Sequence, residues 1–189
     1  MLQHLPKRIL SRSAKSIINP TRVMNQLKIS ESDKVLELGL PIGFFARALA
    51  AQVGEYGSVI VAGPNKESFE KLDADLHHYP NISTVSLAQV LSQDAAVTQS
   101  LDVIILTNLL SNVKSPSNFC LSLNYYLKPD GRVILIDWET EGNVVGPDNS
   151  ARMPREEAIR LLTQCGFEFE RALQIPGYHY GLIFTQKPE

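Results

Sequence analysis

A doubly wound α/β domain, with a mostly parallel sheet that ends in an antiparallel β-hairpin, is the fold this sequence predicts. Three observations predict it. Short, almost wholly apolar runs alternate with longer helix-like segments between residues 34 and 137, as parallel strands covered on both faces require. Two final strand-like runs are separated only by a short turn, which makes them antiparallel. The chain of 189 residues is long enough for one domain with a real core and too short for two.

The elements follow in order. KVLEL (34–38) reads as a strand buried on both faces, and GFFARALAAQV (43–53) as the helix after it. SVIVA (58–62) is the second strand. NKESFEKLDADL (65–76) is a helix capped by Asn65, with Glu67 in its first turn. STVSL (83–87) is the third strand and DVIILT (102–107) the fourth. SPSNFCLSLNYYL (115–127) is a helix with Ser115 as its cap and Pro116 in its first turn, where the missing N–H costs nothing. KPDG (128–131) reads as a turn and RVILID (132–137) as the fifth strand. After a polar loop, PREEAIRLLTQCG (154–166) is a helix with two acids in its first turn and a glycine stop. FEFERALQI and YHYGLIFTQ, parted by Pro176-Gly177, are the closing hairpin.

Composition bounds the function. The chain is 44% hydrophobic and 20% charged, ordinary for a globular domain, and no apolar run approaches membrane-span length. Cys120 and Cys165 form no CxxC pair, which fits a reducing compartment. His4, His77, His78 and His179 lack metal-ligand spacing, so no metal site is expected. Residues 1–30 carry six basic side chains and no acid, so against a total of −2 the remainder carries −8. This basic stretch reads as a helical segment packed beside a single domain at 31–189, in a cytoplasmic protein. A mitochondrial transit peptide and an anionic-surface contact are the alternatives. The acidic remainder would repel nucleic acid.

In an open α/β sheet, ligands sit beyond the carboxyl ends of the strands, where strand order reverses. Four stretches near those ends carry a resemblance. VLELGLPIGFFARALA has an acid followed by spaced glycines. SLDVIILTNLL covers the fourth strand, LKPDGRVILIDWE the turn and fifth strand, and MPREEAIRLLTQCGFEFERALQIPGYHYGLIFTQ the last helix and hairpin. In order and spacing, from about Asn19 onward, the chain resembles a class I S-adenosylmethionine-dependent methyltransferase of the small ubiquinone/menaquinone-biosynthesis type. The resemblance implies a Rossmann-like seven-stranded sheet with one antiparallel strand, S-adenosylmethionine as cofactor and a small-molecule methyl acceptor.

It also implies a set of cofactor contacts. Glu37 matches the acid near the methionyl end, and Gly39, Leu40 and Gly43 match the loop. Pro41 stands where the family has its middle glycine, removing one N–H donor and adding bulk. Gly63 falls where the ribose-binding acid belongs, with Asn65 nearby as a weaker amide substitute. Gln89 is the polar residue nearest the expected adenine, and Asn108 ends the fourth strand as a cofactor or substrate contact. Loss of one charged ribose contact costs about 1.5–3 kcal/mol, roughly ten- to a hundredfold in affinity.

Plainer readings stand beside these. Glu37–Gly43 is also a tight strand-to-helix turn in which Pro41 begins the helix. Asn108 and Asp137 are also loop caps. Trp138 covers the pocket edge or core. His179, between Tyr178 and Tyr180 on an alternating strand, reads as structural. Phe44 and Phe45 read as core residues, with a cation–π contact to a sulfonium as the alternative. No residue is assigned as catalytic. Two other functions are weighed: a non-catalytic methyltransferase-like partner module, suggested by Pro41 and Gly63, and a nicotinamide-dependent oxidoreductase. The loop fits the latter's G-x-G-x-x-G less well.

Overall fold

The computed structural model describes residues 18–39, 41–63, 70, 72, 74–91, 98–140 and 146–187. Seven strands form one sheet: β1 (Lys34–Gly39), β2 (Ser58–Gly63), β3 (Ile82–Ser86), β4 (Leu101–Thr107), β5 (Leu127–Trp138), β6 (Phe167–Leu173) and β7 (His179–Gln186). Their order is β3-β2-β1-β4-β5-β7-β6. The pairs from β3 to β5 are parallel, and β7 is antiparallel to both β5 and β6. The order reverses between β1 and β4, which makes the carboxyl rim of those two strands the expected ligand edge.

Strand residues alternate between faces, and two cores result. One holds Val35, Val59, Val61, Val103, Ile105, Ile134, Ile136 and Ile183 against α1 (Pro20–Leu27) and α2 (Ala46–Val53). The other holds Leu36, Leu38, Ile104, Leu106, Val133, Leu135 and Leu182. It is covered by α3 (Leu87–Leu91), α4 (Pro116–Tyr126) and α5 (Arg155–Gln164), and the Tyr126 hydroxyl donates to the carbonyl of Val90. Ile18, Val23, Met24, Leu27 and Ile29 are all buried in the first core. The basic N-terminal stretch from Ile18 onward is therefore packed on the sheet. Arg171 and Arg132 donate to the carbonyls of Gln26 and Leu27 and tie α1 to the far strands. Residues 1–17 lie outside the described residues, as do most of 64–73, where the helix capped by Asn65 was expected.

Several boundaries differ from the sequence reading, each for a local reason. The helix after β1 begins at Ala46 rather than Gly43, because Gly43 has φ +70°, which no α-helix accepts. Pro41 thus lies in a turn and does not start the helix. Ser115 occupies the cap position of α4 without a side-chain hydrogen bond, so Pro116 alone marks that start. No loop separates β3 from α3, so Gln89 is helical. KPDG is a bulge inside β5: Leu127 pairs with Leu101 and Arg132 with Val103, leaving four residues opposite Asp102. Asp102 pins it, accepting from Lys128 Nζ at 2.6 Å and from the N–H of Lys34 at 2.8 Å. The positive φ there, +64°, falls on Asp130.

Candidate functional site

The carboxyl rim of β1 begins at Glu37. Its side chain is 1% exposed and points toward α2. One carboxyl oxygen accepts the N–H of Phe45 at 2.9 Å, and the nearby backbone of Phe44 and Ala46 also favours its charged form. The acid therefore ties down the turn 42–45, which would otherwise leave the first N–H groups of α2 unpaired. Oε2 has no partner among the described residues. Burial pushes this carboxyl up from 4.5 to about 7, partly offset by the backbone donors.

Gly39 ends β1 in register with Thr107 of β4. A Cβ on it would stand 2.7 Å from Thr107 Cβ and 2.8 Å from its carbonyl oxygen. Two residues of the turn, Phe44 and Phe45, meet edge to face at 4.8 Å, with Phe45 in the core. The structure brings Glu37, Gly39 and Gly43 together at this rim. Gly63 ends β2 one strand away, in register with Ser86. Asn108 follows β4 with φ +51°, a region that asparagine visits more readily than most residues. Its N–H donates to the carbonyl of Ile136 at 2.8 Å, and its own carbonyl accepts from Asn112 at 3.2 Å. Leu40 and Asn65 lie outside the described residues, and so does the side chain of Gln89.

Beyond β4 the rim continues with residues that the sequence reading set aside. Asp137 is fully buried on the α4/α5 face. Oδ1 accepts the N–H of Trp138 at 2.8 Å. The nearby backbone of Leu110, in the turn after β4, also favours the charged form, and burial raises the carboxyl to about 7. Oδ2 has no partner among the described residues. Tyr180, opposite Asp137, shares that face and donates to the carbonyl of Met153 at 3.0 Å.

Trp138 and His179 are paired in register on the other face, with ring centroids 4.0 Å apart. Arg152 lies over the indole at 5.7 Å. Its guanidinium donates to the carbonyls of Pro147 and Glu139. Nothing in the sequence marked Arg152, because its partners are backbone carbonyls. Burial and the charge of Arg152 lower His179 to about 4, so it is neutral at pH 7.

These shifts make a pH prediction. A carboxyl raised in the folded state holds its proton more tightly there. Its stabilising effect is complete below the ordinary value and is lost as pH rises through about 7. His179 acts oppositely and costs stability as pH falls from 6.5 toward 4. Comparing wild type with Glu37→Gln isolates the acid. The wild type should lose on the order of 3 kcal/mol relative to the variant between about pH 5 and pH 8. Urea denaturation at both pH values measures this, and a difference independent of pH would refute it.

A methyltransferase-domain family model matches residues 6–178. Among solved structures, a SAM-dependent methyltransferase from Aquifex aeolicus superposes with a TM-score of 0.85 at 20% identity, covering 95% of this chain and 96% of that one. A Sulfolobus solfataricus protein assigned as a type 11 methyltransferase gives 0.74 at 21% identity, covering 92% and 95%. The 1,6-didemethyltoxoflavin-N1-methyltransferase of Burkholderia thailandensis, with bound 1,6-didemethyltoxoflavin and S-adenosylhomocysteine, gives 0.65 at 15% identity, covering 96% and 80%. At these identities the structural likenesses establish the fold. No curated protein matches the chain.

Proposed function

The chain belongs to the methyltransferase-domain family, and from that premise we propose that it transfers a methyl group from S-adenosylmethionine to a small molecule. The observation that carries this reading is Glu37. It is a buried carboxyl at the switch-point rim, with one oxygen clamped to the following turn and the other without a partner among the described residues. A buried carboxyl in that position, whose anionic form has no counter-charge beside it among the described residues, suits a cationic ligand group.

When bound, the cofactor supplies an electrophilic methyl on a sulfonium. Glu37 would receive the ammonium of its methionyl end. Gly39, Leu40 and Gly43 would bring loop backbone close to it. Gly63 and Asn65 would border the ribose, Gln89 would accept from the adenine amine, and Asn108 would stand between cofactor and acceptor. Methyl transfer asks mainly for alignment of the two reactants, and a rim held by Glu37 and Asp137 supplies fixed positions for it. Calorimetric titration with S-adenosylmethionine and S-adenosylhomocysteine tests the reading. Saturable binding of both is expected, and no heat at millimolar ligand would overturn it.

Gly63 favours a second reading, a methyltransferase-like module that binds a partner without catalysis, since it offers no carboxylate to a ribose. Gly63→Asp combined with Pro41→Gly restores the acid and the glycine. The double variant is expected to bind cofactor about ten- to a hundredfold more tightly than wild type. Binding by the double variant alone would support the second reading. Methyl transfer by the wild type to any acceptor would exclude it.

A further inference from the structure

Three strands carry buried polar side chains on one face of the carboxyl rim. Residue parity places Glu37, Thr107, Trp138 and His179 on the α1/α2 face. Besides Glu37 Oε2, the buried atoms without a hydrogen-bond partner among the described residues include Thr107 Oγ1 and both ring nitrogens of His179. Each such atom carries a desolvation cost when nothing pairs with it. An imidazole with both nitrogens orphaned is a poor structural element. The stacking with Trp138 explains its ring faces and leaves its edge unexplained.

The floor between the two residues is apolar. Thr107 and His179 are separated by β5, which presents Ile136 and Trp138 on this face. Two inter-strand steps span about 10 Å. One charge borders this stretch: Arg152 lies over Trp138 and donates to the carbonyls of Pro147 and Glu139, and burial together with that arginine keeps His179 neutral. The result is an apolar stretch, buried in this structure, with one neutral polar group at each end, lying further from β1 than Glu37 does.

Resting on the methyl-transfer reading, we propose that Thr107 and His179 anchor the methyl acceptor, a neutral flat molecule of one or two rings that carries a hydroxyl or ring N–H. His179 accepts a hydrogen bond from that donor, and Thr107 pairs with a second polar group or with the ring edge. The edge of His179 is closed in this structure, so the acceptor displaces whatever lies against it. Cationic acceptors are disfavoured by the Arg152 guanidinium over Trp138, whose donors already serve the carbonyls of Pro147 and Glu139.

Naphthol serves as the probe and naphthyl methyl ether, which lacks the donor, as its control. The full chain, labelled with ¹⁵N at histidine and held with excess S-adenosylhomocysteine, is titrated with each by NMR. Naphthol should shift the His179 ring resonances saturably while the ether leaves them in place. His179→Phe should weaken naphthol binding at least about tenfold, and His179→Gln, which keeps a hydrogen-bonding group, by much less. Thr107→Val should also weaken it. Unmoved His179 resonances would overturn the proposal and assign the imidazole to a resident water only. Equal shifts with the ether, or Thr107→Val binding like wild type, would overturn it too. Should His179→Phe not fold, the wild-type titration and Thr107→Val decide the matter. Cofactor-product binding is read separately by calorimetry. Its presence without a naphthol response refutes this inference alone, and a naphthol response without it refutes the methyl-transfer reading and leaves Thr107 and His179 as a ligand site without an acceptor role.

Discussion

Glu37→Ala is expected to destabilise the fold by about 3 kcal/mol near neutral to mildly acidic pH and to abolish measurable cofactor binding. Both effects come from one side chain. The carboxyl holds the N–H of Phe45, at the entry to α2 where no intrahelical partner exists for it. Alanine leaves that donor without its acceptor and opens a void at a fully buried point. The turn it holds is also the loop expected to approach the cofactor, so its loosening removes binding as well as stability. Urea denaturation and calorimetric titration measure the two losses. Glu37→Gln is the informative companion, because it keeps an acceptor for the turn and removes the anion. It should recover most of the stability and little of the binding. If Gln binds cofactor as wild type does, Glu37 serves only the turn.

Gly39→Ala should cost about 3 kcal/mol, near the upper end for overpacking a well-formed core. The added methyl would meet Thr107 Cβ at 2.7 Å, its carbonyl oxygen at 2.8 Å and its nitrogen at 3.1 Å. Two of these three atoms are backbone of a paired strand, so no side-chain rotation relieves the contact. β1 and β4 must part at the rim, where the sheet changes direction. Thermal unfolding followed by circular dichroism gives the stability change. A melting temperature unchanged from wild type would show that the two strands give way at no cost. The comparison with Gly43 is instructive. Gly43 is required by its φ of +70°, Gly39 by its neighbour, and neither requirement depends on a ligand.

That distinction explains how much of the site was legible beforehand. The spaced glycines of ELGLPIGFF identify the strand–turn–helix unit, and the structure gives both of them structural reasons. Glu37 was legible as an acid at a strand end. Its clamp on the turn was not, because the N–H of Phe45 becomes its partner only once the chain reverses at Gly43. Asp137 was read as a loop cap, and it caps the N–H of Trp138, but its place beside the Leu110 turn after β4 has no sequence signature. His179 was read as structural from its isolation in sequence. Its pairing with Trp138 depends on the antiparallel register of β5 and β7, which a one-residue slip would reverse.

By itself the sequence determined the alternation of strands and helices, the parallel sheet and the antiparallel hairpin. Those follow from short-range periodicity and from turn chemistry, which are local properties of the chain. It also determined the family, through the order of its motifs. Only the tertiary structure decided which side chains share a face at the rim, which buried carboxyls hold which loops, and which polar atoms lack partners among the described residues. Those properties depend on strand order and register, and both are fixed by packing between segments far apart in the chain.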